Sequence, residues 1–224
     1  MDVSQALDTR LTCRAFLDTP VPEATVRAIL TAAARAPSGG NLQPWRVWAL
    51  AGEPLAALCR SVTEKLRGGQ FGEAPTEYLI YPPSMKDPFA DRKRRAGEMM
   101  YDAIGVGRDD GAAQMVQLVR NFEFFGAPVG LFLAIDRSLQ QGQWADVGMY
   151  LQSVMLLARE HELHTAPLES WAMWHRTVRT HLAIPDELML FCGVGLGHID
   201  VAHPINRTRT ERAPLEDFAV LRGF

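Results

Sequence analysis

Apolar positions recur along this chain with two patterns, one typical of helices and one typical of buried strands. Between Pro22 and Pro37 they return every three or four residues, which predicts a helix in this stretch. The helix must end before Pro37, because the residue before a proline avoids the helical region. Similar patterns predict the remaining helices, at residues 2–9, 53–66, 92–104, 112–125, 143–162 and 171–182.

Two near-continuous apolar runs predict strands that are buried on both faces. They are Val129–Ile135 and Leu188–Val194, and residues 46–51 form a third predicted strand. Strands separated by helices, without a repeat, indicate an α+β or α/β sandwich. No linker is long enough to divide the chain, so we expect a single domain over residues 1–224.

One segment, at about residues 68–112, departs from this pattern. It is rich in Gly, Pro and charged residues and contains the basic run Arg92-Lys93-Arg94-Arg95. A segment this polar and broken is typical of a surface insertion, which we call the flap. We expect the flap to form one wall of an active site, with the part from Tyr81 to Arg95 covering a substrate.

Composition limits the possible partners. The formal net charge is −3, which argues against nucleic-acid binding, since that usually needs a basic face. No apolar run is long enough to span a bilayer, and the first ten residues lack the apolar core of a signal peptide. Three widely spaced cysteines form neither a CxxC motif nor a disulfide framework. We therefore expect a cytoplasmic protein without a membrane partner.

The first candidate site is the triplet Arg10-x-Thr12-x-Arg14. In an extended segment, residues two apart point the same way, so all three side chains can converge on one ligand. Guanidinium groups match phosphate with paired hydrogen bonds, and the triplet is therefore a candidate anion site. The alternative is a solvated basic patch.

A second candidate site follows the helix that ends before Pro37. Its candidate residues are Pro37, Ser38, Gly39, Asn41 and Gln43, which together offer a hydroxyl, amide groups and closely approachable backbone. Side-chain amides carry both donors and acceptors, which suits the polar edge of a flavin ring. The alternative is a helix-ending turn beside a buried tryptophan.

Together these two motifs resemble the opening of the nitroreductase family, which binds FMN and takes hydride from NAD(P)H. The resemblance covers both ends and the middle of the chain, and the flap is matched least. It implies an α+β fold with a mixed central sheet flanked by helices. It also implies an intertwined homodimer with two FMN sites at the interface, and NADH or NADPH as the electron donor.

Two segments in the middle of the chain agree with the resemblance. The stretch Pro167-Leu168-Glu169-Ser170 is similar to the family segment whose backbone N–H faces flavin N5. Family members often carry glycine where Ser170 stands, and the alternative for Glu169 is an exposed loop carboxylate. An asparagine before the second apolar strand reaches the flavin in the family, so Asn121 is the candidate, or Arg120 if the alignment shifts by one.

The C-terminal segment also resembles the family, in which an arginine before a Pro-Leu-acidic stretch grips the FMN phosphate. Arg212 matches that arginine best, and Arg209 is the second choice. Thr210 stands where many members have a lysine. The alternative is a charged surface tail.

Three other features are weaker candidates. The histidines at 161 and 164 lack the spacing of HExxH, so we expect no metal site. The glycines from Gly193 to Gly197 lack the dinucleotide-binding spacing. Trp171 and Trp174, three apart on a predicted helix, either belong to the core or face the substrate.

The resemblance implies a ping-pong reaction that passes hydride through flavin N5 to a small aromatic acceptor, a nitroaromatic or a quinone. The basic run favours an anionic aromatic such as a nitrobenzoate, and a solvated face explains that run equally well. Alternative reactions on the same scaffold are reductive dehalogenation, enoate reduction and flavin breakdown. A non-catalytic FMN-binding protein is the alternative from another class.

Overall fold

The computed structural model describes all 224 residues and places helices around a four-stranded sheet. The α-helices are α1 (Val3–Thr9), α2 (Glu23–Ala33), α3 (Gly52–Arg67), α4 (Phe89–Ala103), α5 (Gly111–Arg120), α6 (Gln141–Glu160) and α7 (His175–Leu182). The strands are β1 (Arg46–Ala51), β2 (Val129–Asp136), β3 (His164–Leu168) and β4 (Leu188–Gly197). None of the helices combines the length and apolar character needed to cross a bilayer.

The sheet has the order β1-β2-β4-β3, and all three pairings are antiparallel. This arrangement with separate helices confirms the α+β class. The expected mixed sheet is not formed by the strands of one chain. The only parallel pairing in the chain is an isolated bridge between Thr12 and Thr165.

The central strand β2 separates two hydrophobic cores. Successive side chains of a strand point to opposite faces. Leu131 and Leu133 accordingly pack with α2 and α6, whereas Phe132 packs with α3 and α7. Burial on both faces explains why β2 is a continuous apolar run in the sequence.

The glycines of β4 admit bulky side chains close to the sheet. A Cβ atom on Gly193 would lie 2.5 Å from Trp171 Cδ1, and one on Gly197 would lie 2.6 Å from Pro128 Cδ. The repeated glycines therefore serve packing. Trp171 and Trp174 are fully buried. Of the two alternatives left open by the sequence, core or substrate contact, the structure therefore supports the core.

The structure differs from the sequence expectations at three places. The helix predicted to reach residue 125 ends at Arg120 and continues as a 3-10 helix, Asn121–Gly126, because Phe124 and Phe125 have φ of 48° and 55°. The helix predicted at 171–182 begins as a 3-10 helix, Glu169–Trp174, before α7. Strand β3 was not predicted; it is short and contains Pro167, which is tolerated because β3 is an edge strand.

Candidate functional site

A cavity of about 710 Å³ lies where β3 passes into the 3-10 helix Glu169–Trp174. We call it the central cavity. Its lining includes six residues that the sequence singled out, namely Arg14, Asn121, Pro167, Leu168, Glu169 and Ser170. The fold therefore brings together segments that lie more than 150 positions apart in the chain.

Packing of the sheet fixes the backbone at the wall of the central cavity. Leu168 pairs with Gly193 of β4, and the missing side chain at Gly193 lets Trp171 lie against the strand. Trp171 stacks on Phe124 with 4.7 Å between ring centroids. The buried tryptophan holds the turn that begins at Glu169, so the main chain of Glu169 and Ser170 is placed by the core.

Two side chains at this turn have unusual surroundings. The Ser170 hydroxyl oxygen is buried and has no hydrogen-bond partner within the chain. Burial raises the pKa of the Glu169 carboxyl above its ordinary value. An unpartnered buried hydroxyl is unfavourable unless a ligand or water satisfies it, which is consistent with a polar ligand in the central cavity.

The segment with Arg10, Thr12 and Arg14 runs beside β3. The Cys13 N–H donates to the Thr165 carbonyl at 2.9 Å, and the Arg14 N–H donates to Asn206 Oδ1 at 2.8 Å. The Arg14 guanidinium has only a long contact, 3.4 Å, to the Thr12 carbonyl. The backbone is thus fixed while the Arg14 side chain lines the central cavity.

Four arginines collect around this segment, and we call them the arginine cluster: Arg10, Arg14, Arg209 and Arg212. Burial lowers the pKa of Arg10, and the positive charge of Arg212 lowers it further, so the two guanidinium groups repel each other. Arg209 donates to the carbonyl of Asn206, the residue that also holds the Arg14 backbone. None of the four forms an ion pair with a carboxylate, although most basic residues of the flap do.

The turn after Pro37 lies against α6, outside the central cavity. The Gly39 N–H donates to both carboxylate oxygens of Asp146 on α6, at 3.2 and 3.3 Å. The Ser38 hydroxyl accepts from the Gln43 N–H at 3.0 Å, and Gln43 Nε2 donates to Asn41 Oδ1 at 3.1 Å. Apart from half-buried Ser38, the candidate residues of this turn are exposed, and none of them lines the central cavity of the same chain. One chain alone does not assemble all the predicted site residues.

The flap lies between α3 and α5 and contains one helix, α4. Tyr81 of the flap lines the central cavity and two neighbouring cavities. The Tyr78 hydroxyl donates to the Phe191 carbonyl at 2.5 Å, and burial raises the pKa of Tyr78. The flap therefore contributes a wall to the central cavity.

The sequence did not single out several residues at this site, and Asn206 and Met173 are two of them. Asn206 is buried and its side chain bonds the backbone of Arg14, Ala15 and Asp200. Met173 lines the central cavity from the 3-10 helix. An asparagine within an otherwise charged tail was a usable signal for Asn206, whereas nothing in the sequence distinguished Met173.

Comparison with known proteins agrees with this arrangement. The model of the Nitroreductase family matches residues 7–198. The chain belongs to the nitroreductase family. A chloronitrobenzene nitroreductase of Comamonas testosteroni is 37% identical to this family member over 209 residues, which cover 93% of this chain and 92% of that protein. A 4-nitrobenzoate reductase of Pseudomonas putida is 33% identical over 224 residues, with coverage of 100% and 96%.

Solved structures of the family have the same fold. The FMN and NADPH-dependent nitroreductase NfnB from Sphigopyxis sp. strain HMH matches with a TM-score of 0.96 and 42% identity, over 100% of both chains. The FMN-dependent NfnB from Mycobacterium smegmatis, solved with NADPH, matches with a TM-score of 0.92 and 25% identity, over 99% of this chain and 100% of that one. The resemblance inferred from the sequence motifs is confirmed.

Proposed function

We propose that this protein is an FMN-dependent oxidoreductase that passes hydride from NADPH or NADH to a nitroaromatic acceptor by a ping-pong mechanism. The observation that carries the proposal is the arginine cluster, which has no carboxylate partners and whose member Arg14 lines the central cavity. Cations left unpaired beside a cavity favour an anionic ligand. The names of the relatives support FMN as that ligand.

The residues at the cavity fit FMN. Arg10, Arg14, Arg209 and Arg212 supply the charge that a phosphate needs, and Thr12 lies between the first two in an extended segment. The Asn121 side chain donates to the Leu118 carbonyl at 2.9 Å, which leaves its amide oxygen to accept from a ring N–H. The Ser170 hydroxyl needs a partner, and a ring edge in the central cavity would supply one.

Bound FMN would supply the hydride chemistry, because flavin N5 takes up a hydride from one substrate and releases it to another. The protein would orient the ring with the backbone of Glu169 and Ser170, which the core holds in place. Pro167 and Leu168 would offer apolar contact to the ring, and the flap, through Tyr81, would limit the access of water.

We propose that the protein acts as a homodimer. Pro37, Ser38, Gly39, Asn41 and Gln43 lie outside the central cavity of their own chain, and a second copy would bring them to it. Exposed apolar side chains near the C-terminus suit such an interface, because they gain from burial: Phe218, Val220, Leu221 and Phe224.

We also propose one FMN-binding domain over residues 1–224, with the flap as an insertion, and a cytoplasmic location. Cys13, Cys59 and Cys192 are free thiols, and burial raises the pKa of Cys13 and of Cys59 to about 12. Free, protonated thiols suit a reducing compartment. Quinones are a second acceptor class to test beside nitroaromatics.

An anaerobic absorbance measurement near 450 nm tests the function. We expect purified protein loaded with FMN to be yellow, to bleach with NADPH or NADH, and to regain colour with nitrobenzene or a quinone. Bleaching before the acceptor is added supports the ping-pong order. Protein that stays yellow with both donors would contradict the reductase and favour a flavin-binding role, and protein that takes up no FMN would contradict the cofactor.

A further inference from the structure

The basic run of α4 is less positive than its sequence implies. Arg92, Arg94 and Arg95 all form ion pairs, so their charges are largely compensated. Their partners are Asp217 for Arg92, Asp91 and Glu98 for Arg94, and Asp91 and Glu211 for Arg95. These arginines hold the flap to itself and to the C-terminal tail, which makes them poor candidates for binding an anionic substrate.

Lys93 is the exception in this run. It forms no ion pair, and its Nζ atom lies 3.7 Å from the centroid of the Tyr81 ring. A cation over an exposed ring gains only about 0.5–1 kcal/mol, and the ring occupies one side of the ammonium group. The other N–H donors of Lys93 stay available to an anion.

Lys93 also lies at the right place to meet a ligand. Together with Tyr81 it lines two cavities, of about 670 and 850 Å³. The larger of these shares Arg14 and Tyr81 with the central cavity. The two cavities therefore adjoin at Arg14 and Tyr81, and we call the space from the proposed flavin site to the Lys93 ammonium the path.

Carboxylates that face this path do not neutralise Lys93. Glu98 lines the 670 Å³ cavity but is paired with Arg94 and Arg108. Asp102 lines the same cavity and forms no ion pair with Lys93. Lys93 is thus a flap cation on this path without a carboxylate partner, as is Lys86, which lines only the 850 Å³ cavity, whereas Lys93 lines both.

We propose that Lys93 recognises an anionic oxygen group on a molecule that enters between the flap and the central cavity. Two sources share this chemistry, namely the carboxylate of an aromatic-acid acceptor and a phosphate of the nicotinamide donor. Lys93 would then determine specificity in one of two ways. It would favour charged over neutral acceptors, or it would favour NADPH over NADH as the donor. The identity of both sources rests on the proposed function.

The test compares Lys93→Gln with Arg92→Gln. Each substitution removes one positive charge, and Arg92, the neighbouring residue, lines none of these cavities. Turnover is measured with 4-nitrobenzoate and with nitrobenzene, and separately with NADPH and with NADH. An exposed ion pair worth about 1 kcal/mol corresponds to about a fivefold change in binding.

For a carboxylate source, Lys93→Gln raises the KM for 4-nitrobenzoate about fivefold and leaves nitrobenzene unchanged. For a phosphate source, Lys93→Gln raises the KM for NADPH and leaves the KM values for 4-nitrobenzoate and nitrobenzene unchanged. Arg92→Gln changes neither. Equal effects on 4-nitrobenzoate and nitrobenzene with no effect on the donor, no effect at all, or equal effects of the two substitutions would overturn the proposal.

A binding measurement separates this proposal from the proposed function. Benzoate and NADP⁺, which cannot react, are titrated calorimetrically into FMN-loaded wild type and Lys93→Gln. If wild type reduces neither nitro compound yet Lys93→Gln weakens benzoate or NADP⁺ binding, the proposed function fails and the role of Lys93 stands. If wild type reduces nitrobenzene and Lys93→Gln alters neither titration nor any KM, the function stands and the role of Lys93 fails.

Discussion

The Glu77 carboxylate lies 2.8 Å from the Arg179 guanidinium, and this ion pair joins the first part of the flap to α7. Glu77 also pairs with Arg137 and accepts the Leu190 N–H at 3.1 Å, and its side chain is 6% exposed. Four residues earlier, Glu73 accepts from the Thr177 N–H at 3.1 Å. The two carboxylates fix the start of the flap against α7 and β4, and Tyr81, four residues after Glu77, lines the central cavity.

The substitution Glu77→Gln should destabilise the protein by about 2 kcal/mol. It removes a buried charge, leaves Arg137 without a carboxylate partner, and leaves Arg179 paired only with the exposed Asp186. Urea unfolding measures the loss, and limited proteolysis should show faster cleavage in the flap. Glu23→Gln is the control, because Glu23 and Arg27 pair on the surface with side chains 77% and 75% exposed. We expect less than about 0.5 kcal/mol there, and equal losses in the two variants would contradict the anchoring role of Glu77.

Arg212→Gln should weaken FMN binding about tenfold and leave riboflavin binding unchanged. Riboflavin has the ring of FMN without the phosphate, and a charge-assisted hydrogen bond to phosphate accounts for a loss of this size. Fluorescence titration of the apoprotein measures both dissociation constants. The control is Arg207→Gln on the same tail, whose guanidinium donates to the Ala202 carbonyl at 3.1 Å. A similar loss for riboflavin would show that Arg212 does not act through the phosphate.

Sequence reasoning succeeded where the signal is local. The strand at 46–51 was predicted with the bounds it has, and β2 was found because burial on both faces leaves a continuous apolar run. Strand β3 was missed because five residues with a proline carry too little pattern at a sheet edge. Its register with β4 depends on side chains that pack across the sheet.

The site was predicted less completely, for a physical reason. A local motif identified Arg14, the family resemblance identified Ser170 and Asn121 or Arg120, and the fold gathers Arg14, Asn121 and Ser170 at one cavity. Which cations stay free depends on partners far along the chain, such as Arg95 with Glu211. From the sequence, the basic run fitted either an anionic substrate or a solvated face, and the ion pairs of its three arginines leave Lys93 as the unpaired cation of the run.

Gly193→Ala should destabilise the protein by about 2 kcal/mol. A Cβ atom there would lie 2.5 Å from the fully buried Trp171, which has no room to retreat within the core. Gly97→Ala in α4 is the matched control, because nothing lies within 4 Å of its Cβ position. Alanine should stabilise that helix by about 1 kcal/mol. Urea unfolding compares the two, and a neutral Gly193→Ala would show that Trp171 can move.

The last prediction concerns His164, which lies at the start of β3 between the core and the arginine cluster. Burial, together with the charges of Arg159, Arg209 and His198, lowers the pKa of His164 to about 4. In the neutral form Nδ1 can accept from Arg159 Nη1, 3.2 Å away. Protonation removes that acceptor and adds a charge to an already positive region.

Stability should therefore fall as the pH decreases from about 6.5 towards 4. The unfolded chain binds a proton at an ordinary histidine pKa near 6.5, whereas the folded chain resists protonation until about pH 4. The contribution is fully present above the unfolded pKa and is lost through this window, to a total of about 3 kcal/mol. Urea unfolding at pH 7, 5.5 and 4.5 measures it. His164→Gln keeps an acceptor without titrating and should flatten the dependence, whereas His161→Gln, at an exposed position three residues away, should retain it. An unchanged dependence in His164→Gln would assign the effect to other groups.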